Sequence, residues 1–412
     1  MVKRSLALVA IAAAMVGCSK DSTGPNPPPT DAESAQYLDA ARLAWTFVAN
    51  NTQASTGLAQ AHDTYQFVTV WDISSQVGAT YSAHELGIIN DGEYDSRIRQ
   101  ILGTLTTMPL FDGAGFNKFY DSHTGGMVDR NDAASSRGYG WSDTDIGRLL
   151  IWLRILAVNQ PQYADQAGAI VDRLDMSRLI SGGTLRAEEL DPNTGAKTSY
   201  AETGLGYEQY AAEGFALWGN RASNSLDPTA NTKSVDVLGV PITVDSRSGA
   251  RLLSEPYVMM GLETGWYASA LHDQAQALLA AQQARFDQTG TMTMVSEDAM
   301  PEPPYYFYYY SVYDSGNSFV VEGPDAGSFV DQPRWVSAKT AFGWRALFPT
   351  DYTLKAFQAV QAAAIPGDGW GAGVYESSLA PTGIASLNTA GVILESALYR
   401  QRGQAFLSQP IS

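Results

Sequence analysis

The chain is 412 residues long and carries 26 Lys and Arg against 43 Asp and Glu, a formal charge of −17, with four His and one Cys. A surface this acidic repels phosphate backbones and no run of Lys or Arg forms a cationic stripe, which excludes nucleic acid as a partner, and a single Cys excludes a disulfide framework. With 45% hydrophobic residues, nine Trp, 21 Tyr and 14 Phe, the chain has the material for a large packed core.

Chain order begins with Lys3 and Arg4 as a basic start, an apolar run from Leu6 to Val16 that is too short to span a bilayer, and Gly17-Cys18. Small residues before a Cys at this distance are similar to the lipobox of bacterial lipoprotein signal peptides, with Met15 standing where Leu is usual. Residues 1–17 therefore read as a signal peptide and Cys18 as the acylated first residue of the mature chain; the plainer alternative is an ordinary secretory signal with an incidental Cys. Residues 18–33 contain four Pro and almost nothing apolar, the composition of a solvated tether. The folded domain is expected over 34–412. Ser19 after the Cys resembles the sorting pattern of outer-membrane lipoproteins, which would hold the domain on the outer membrane, facing the periplasm, with the lipid as its only membrane contact.

Periodicity of 3.6 residues predicts helices over 34–50, 71–87, 93–107, 143–158, 161–175, 204–218, 254–266, 268–287, 335–348, 351–364 and 386–401. Residues 235–244 alternate around a Gly and read as a small hairpin. The connections are the stronger signal. Those after the helices at 71–87, 143–158, 254–266 and 335–348 are very short, whereas the segments before these helices (51–70, 108–142, 219–253 and 288–334) are long and rich in Gly, aromatics and acids. In antiparallel helix pairs, alternate connections lie at opposite ends, so the long loops gather at one end. The alternation breaks once, at 219–253, where the hairpin stands in place of an outer helix. Counting that place makes twelve, the number in an all-α (α/α)6 toroid with long loops and a β-hairpin or two at one end.

Each inner helix is introduced by a marked segment: Val70-Trp71-Asp72-Ile73, Gly140-Trp141-Ser142-Asp143-Thr144-Asp145, Gly206-Tyr207-Glu208, Ser254-Glu255-Pro256-Tyr257, Pro333-Arg334-Trp335 and Asn388-Thr389. The loops add Ser296-Glu297-Asp298 and Gly369-Trp370-Gly371 with Tyr375-Glu376. Glycoside chemistry requires two acids flanking the scissile bond and flat rings to stack on sugar faces. On position alone, Glu208 is the expected proton donor and Asp145 or Asp143 the base or nucleophile. Asp72, Trp71, Trp141, Tyr207, Glu255, Glu297, Trp370 and Glu376 are expected to hold sugar hydroxyls and ring faces. Asp72 and Asp143 also read as helix caps. The run from Tyr305 to Tyr310, followed by Tyr313, suits a wet carbohydrate groove and equally a β-hairpin lid. His62, His84, His123 and His272 lack metal-type spacing, and no phosphate-cradling, dinucleotide or nucleophile-elbow pattern occurs, so neither metal nor cofactor is expected.

These segments, together with Glu85-Leu86-Gly87, Asp145-Ile146-Gly147-Arg148-Leu149-Leu150, Gly206-Tyr207-Glu208-Gln209-Tyr210-Ala211-Ala212, Glu255-Pro256-Tyr257 and Thr289-Gly290, resemble over residues 36–401 a family of bacterial secreted or periplasmic glucoamylase-like domains. That family is similar to the (α/α)6 glycosidases that include endo-β-1,2-glucanases. The resemblance implies a neutral, β-linked glucan or oligosaccharide as substrate and carries no catalytic residue across. The expectation is a monomeric, lipid-anchored glycoside hydrolase or transglycosylase; the alternative is a glycan-binding lipoprotein without paired acids. A uronate lyase on the same toroid would need cations in the basin, for which only Arg148, Arg334 and Arg345 are candidates.

Overall fold

The computed structural model describes residues 31–247, 251–300, 307–314, 318–322 and 329–407. The signal peptide, Cys18, the tether up to residue 30, and Tyr305 and Tyr306 of the tyrosine run lie outside the described residues. Twelve helices are present among the described residues: α1 (Asp31–Asn51), α2 (Val70–Glu85), α3 (Asp91–Thr107), α4 (Asp143–Asn159), α5 (Ala164–Val171), the single turn α6 (Met176–Leu179), α7 (Tyr207–Ala216), α8 (Ser254–Glu263), α9 (Ser269–Thr289), α10 (Ala338–Leu347), α11 (Asp351–Ala359) and α12 (Leu387–Arg402). None is long and apolar enough to cross a membrane.

Six helices close an inner ring: α2 packs on α4, α4 on α7, α7 on α8, α8 on α10, α10 on α12, and α12 back on α2. These are the helices that the long-loop alternation marks as inner. Outside them, α1 lies on α12, α3 on α2, α5 on α4, α9 on α8 and α11 on α10. Among the described residues the sixth outer place has no helix. The antiparallel hairpin Thr232–Val237 with Val240–Asp245 stands there and packs on α9. The architecture is the expected (α/α)6 toroid with one outer helix replaced.

Inner helices carry apolar or small residues all round because every face is covered. All ten residues of α8 are buried. The α4–α7 crossing is close: a Cβ on Gly147 would stand 2.4 Å from Ala211 Cα, and one on Gly214 would stand 2.0 Å from the Gly147 carbonyl oxygen. N-terminal caps fix where the inner helices begin at the loop end. Thr69 and Asp72 form a capping box on α2, the Ser142 hydroxyl accepts from the Asp145 N–H on α4, and Ser386 caps α12.

Several boundaries differ from the sequence expectation. Helix α1 already includes Glu33, ahead of the expected helix start at 34, and Glu33 is held by Arg345, 2.8 Å away, and by Arg400 at 3.3 Å. Helix α7 begins after Gly206, whose φ of 98° is not helical. Residues Trp335–Ser337 ahead of α10 form a strand paired with Gly373–Tyr375. The long loops also hold more strand than one hairpin. Thr184–Leu190 pairs with Lys197–Ala201, and Phe307–Tyr313 lies among Ser296–Ala299, Phe319–Glu322 and Arg251–Leu252.

Candidate active site

Where the inner helices begin, side chains from all six of them and from the strand Ser296–Ala299 converge. Trp71, at the start of α2, is half-buried, with its ring 5.6 Å from Tyr207 and with the Arg148 guanidinium 4.8 Å from its centroid. Arg148 is fully enclosed. It donates to Ser75 Oγ at 2.7 Å and to Asn388 Oδ1 at 3.0 Å, and Asn388 Nδ2 in turn donates to Glu255 Oε1 at 2.6 Å. On the far side of Glu255, Lys339 Nζ lies 2.9 Å from Oε2 and 3.6 Å from Asp298 Oδ1. The floor is thus a connected polar layer under an aromatic pair.

The Tyr207 hydroxyl lies 3.0 Å from Glu255 Oε2 and 2.9 Å from Glu297 Oε2, which bounds the separation of these carboxylate oxygens at about 6 Å. Glu297 sits on the strand Ser296–Ala299 in register with Tyr309, and the Tyr309 ring carries the Arg251 guanidinium 4.3 Å from its centroid. Burial first, and then the charge of Glu255, push the Glu297 carboxyl up to about 7. Burial likewise lifts Asp298 to about 6, although its oxygens accept from Trp335 Nε1 and Ser337 Oγ.

Asp145 stands on α4 and is partly exposed. Desolvation, followed by the negative charges of Glu202, Asp72 and Glu297, raises its carboxyl well above the usual carboxylate range, and Lys118 opposes them. Glu202, which accepts from Thr144 Oγ1, is raised by burial as well. Among the described residues here, Asp145, Glu202 and Glu297 are partly exposed, while Asp72, Glu255 and Asp298 are buried.

Of the residues expected from the sequence, Trp71, Asp72, Asp145, Tyr207, Glu255 and Glu297 are brought together here. Others are not. Glu208, the expected proton donor, is ion-paired with Arg247, which also grips Asp245, so its carboxylate ties α7 to the outer hairpin. Asp143 is fully buried and accepts from the Arg186 N–H at 2.8 Å; it fixes the strand Thr184–Leu190 and cannot meet a substrate. Trp141 and Trp370 are 1% and 2% exposed, with their indole N–H groups bonded to the Arg186 and Ala40 carbonyls, so neither offers a ring face to a sugar. Glu376 is clamped by Arg285 and accepts from Tyr310 at 2.6 Å. Asp72 does double duty, since the capping contacts with Thr69 hold it. Of the arginines weighed for a lyase, Arg148 is buried, Arg345 is bonded to Glu33, and Arg334 lies 3.5 Å from Glu376.

Lys339, Asn388, Glu202 and Tyr309 complete the site and were not among the expected site residues. Lys339 had a signal in the sequence: it is one of two cations on α10 and sits at the helix start, next to the long loop, where an unpaired buried charge would be costly. Among the described residues no group of three His, Cys, Asp or Glu side chains is placed to hold a metal ion.

The family model for DUF3131, described as a protein of unknown function, matches residues 39–403. The chain belongs to the DUF3131 family. No curated protein matches it in sequence. Among solved structures it is similar to a glucoamylase-like protein of Bacteroides caccae, with a TM-score of 0.64 and 13% identity, covering 90% of this chain and 94% of that one. It is also similar to an endo-β-1,2-glucanase of Chitinophaga pinensis in complex with sophorotriose and glucose, with a TM-score of 0.63, 13% identity, and 90% and 93% of the two chains covered. A cellobiose 2-epimerase of Bacillus thermoamylovorans matches at a TM-score of 0.54 and 12% identity, over 89% of this chain and all of that one. These likenesses establish the (α/α)6 glycosidase-like fold of this DUF3131 member; the epimerase shows that the fold hosts more than one sugar reaction.

Proposed function

We propose that this DUF3131 protein is a glycoside hydrolase acting on a neutral, β-linked glucan, with Asp145 as general acid and Glu297 as general base. The observation that carries the reading is a pair of partly exposed, interacting carboxyls, one on α4 and one on the loop-end sheet, next to the Trp71–Tyr207 aromatic pair. Acid–base hydrolysis needs one such group protonated and one ionised at working pH. Asp145 is surrounded by three carboxylates and keeps its proton longer. Glu297 is helped to ionise by Lys339, Tyr207 and Arg251. In the reaction the Asp145 proton goes to the glycosidic oxygen as the C1–O bond breaks, and Glu297 takes a proton from the water that attacks C1. The sophorotriose bound by the Chitinophaga pinensis enzyme makes a β-1,2-linked glucan the first substrate to try.

The test is digestion of a panel of β-1,2-, β-1,3- and β-1,4-glucans with product analysis. Wild type should cleave at least one, with kcat/KM falling below about pH 7 as Glu297 takes up its proton. E297Q and D145N should each lose on the order of 10²–10⁴-fold in rate, while E208Q should not share that loss. Cleavage by E297Q at the wild-type rate would sink the assignment. Binding of a glucan with no cleavage by wild type would favour a glycan-binding lipoprotein instead.

The membrane placement belongs to the same reading. We propose that Cys18 carries the lipid and that the domain works in the cell envelope, on the outer membrane facing the periplasm, at the end of the Pro-rich tether. The basic, apolar and Gly17-Cys18 sequence supports it. Labelled palmitate should enter the wild-type protein and not C18S in a bacterial host; equal labelling of the two rejects the anchor.

A further inference from the structure

A phenol has one proton to donate, yet the Tyr207 oxygen stands within hydrogen-bond distance of two carboxyl oxygens, Glu255 Oε2 and Glu297 Oε2. Only one of the two can receive that proton at a time. The other contact closes only when its carboxyl carries a proton and donates it to the phenol oxygen. The two neighbours are not equivalent. Glu255 is 1% exposed, and its oxygens also face Asn388 Nδ2 and Lys339 Nζ, both of which are donors. A proton on Glu255 would therefore meet donors on every side. Glu297 is partly exposed at the mouth and has room for one.

We propose that Tyr207 is a positioning residue that acts through Glu297: its hydroxyl proton points at Glu297 while that carboxyl is ionised and turns to Glu255 when Glu297 takes up a proton. The proposal rests on the hydrolase reading above for its use in catalysis, but the switch itself requires only the three groups. During turnover the proton leaving water bonds to Glu297, and the Tyr207 O–H bond stays intact and rotates. Glu255 then receives the hydrogen bond that Glu297 gives up, beside the contacts it already has with Asn388 Nδ2 and Lys339 Nζ. Tyr207 supports the base in its ionised form and releases it once the proton has arrived.

Other groups around the pair act on Glu297 as well. Lys339 on α10, Arg251 on its strand and the Tyr207 hydroxyl favour the ionised form of Glu297, whereas burial and Glu255 on α8 oppose it. Asp298 lies beside Lys339; Asp145 on α4, with Asp72 on α2, faces from the opposite wall; Tyr309 is the cross-strand neighbour; and Glu322 holds Arg251 at 3.5 Å. All of these remain when Tyr207 loses only its oxygen.

The experiment is a carbon-13 NMR titration of the full domain with labelled glutamate carboxyls, in which the Glu297 signal is the one missing from E297Q. It needs no substrate, so its outcome is independent of whether a glucan is cleaved. Y207F should move the Glu297 midpoint up by about one pH unit, the size of a lost hydrogen bond to the ionised form. Replacing Tyr207 with 3-fluorotyrosine, a more acidic phenol and a stronger donor, should move it down and keeps the fold even where Y207F does not. With a glucan that wild type cleaves, the acid limb of kcat/KM should follow the same two directions, and the Y207F deficit should shrink as pH rises. A midpoint that does not respond to either replacement, or that moves the same way in both, overturns the proposal, and so does a Y207F deficit that is constant across pH.

Discussion

Trp71 is the one tryptophan of the three expected at the sugar face that keeps part of its ring open. It lies tilted against Tyr207 with the Arg148 guanidinium 4.8 Å from its ring centroid, whereas Trp370 is sealed against Phe342 at 5.1 Å between ring centroids. Their replacements should separate binding from stability. Trp71→Ala removes a partly exposed ring, so KM on a cleaved glucan should rise about tenfold, equivalent to about 1.4 kcal/mol, with thermal unfolding little changed. Trp370→Ala opens a cavity and severs a buried N–H···O bond, so the protein should lose about 3–5 kcal/mol of stability while the folded fraction keeps its KM. Thermal unfolding beside steady-state kinetics on the two variants checks both; a KM effect from Trp370→Ala that matches Trp71→Ala would mean that the buried assignment is wrong. The same contrast explains why the sequence alone could not choose. All three stand in Gly- or acid-flanked segments at one end of the toroid, and only the third dimension shows that Trp141 and Trp370 turn under the rim.

At the scale of elements, connection length carried most of the information. Short links after α2, α4, α8 and α10 and long ones before them force alternate ends, and the ring that this implies is the one in the structure. The missing outer helix was legible too, because Val235 to Val244 alternate with period two around Gly239 and cannot present a helical stripe. What could not be read was which way each acid turns. Tyr207 and Glu208 are neighbours on one helix, about 100° apart around its axis. Tyr207 faces the basin, and Glu208 faces Arg247, which arrives from the far end of the hairpin. Nothing in the local pattern of α7 announces that partner. Asp143 and Asp145 form the same kind of pair on α4: one is spent on the backbone of Arg186 and the other stands at the mouth. Strand Phe307–Tyr313 divides its tyrosines between two places. Tyr310 is locked into the Arg285–Glu376 contact, while Tyr309 stands beside Glu297 at the site.

For the whole molecule, the notable economy is how many acids lie inside. Down the axis of the toroid, Arg148 lies 3.5 Å from Glu395 and 3.8 Å from Glu263, and Glu263 accepts from Trp152 Nε1 and the Tyr210 hydroxyl. Toward the other end, Glu213 is buried with Thr264 as its hydrogen-bond donor, and burial pushes its carboxyl up to about 8. Glu297 and Asp298 follow at about 7 and about 6. A carboxyl whose pKa is higher folded than unfolded binds more protons in the native state, so its contribution is fully present below the unfolded value and is lost as pH rises through the folded one. For Glu213 that window runs from its ordinary 4.5 to about 8. Within it each pH unit costs up to about 1.4 kcal/mol per such group. The midpoint of urea unfolding should therefore fall steadily between pH 5 and pH 8, opposite to a protein whose carboxylates are held low by surface ion pairs. Glu213→Gln keeps the shape and the Thr264 contact without a titrating proton, so its curve should be flatter over this window and should rise above wild type at pH 8. A wild-type midpoint that is level or rising from pH 5 to 8, or a Glu213→Gln slope equal to wild type, would show that these acids exchange their protons without resisting the fold.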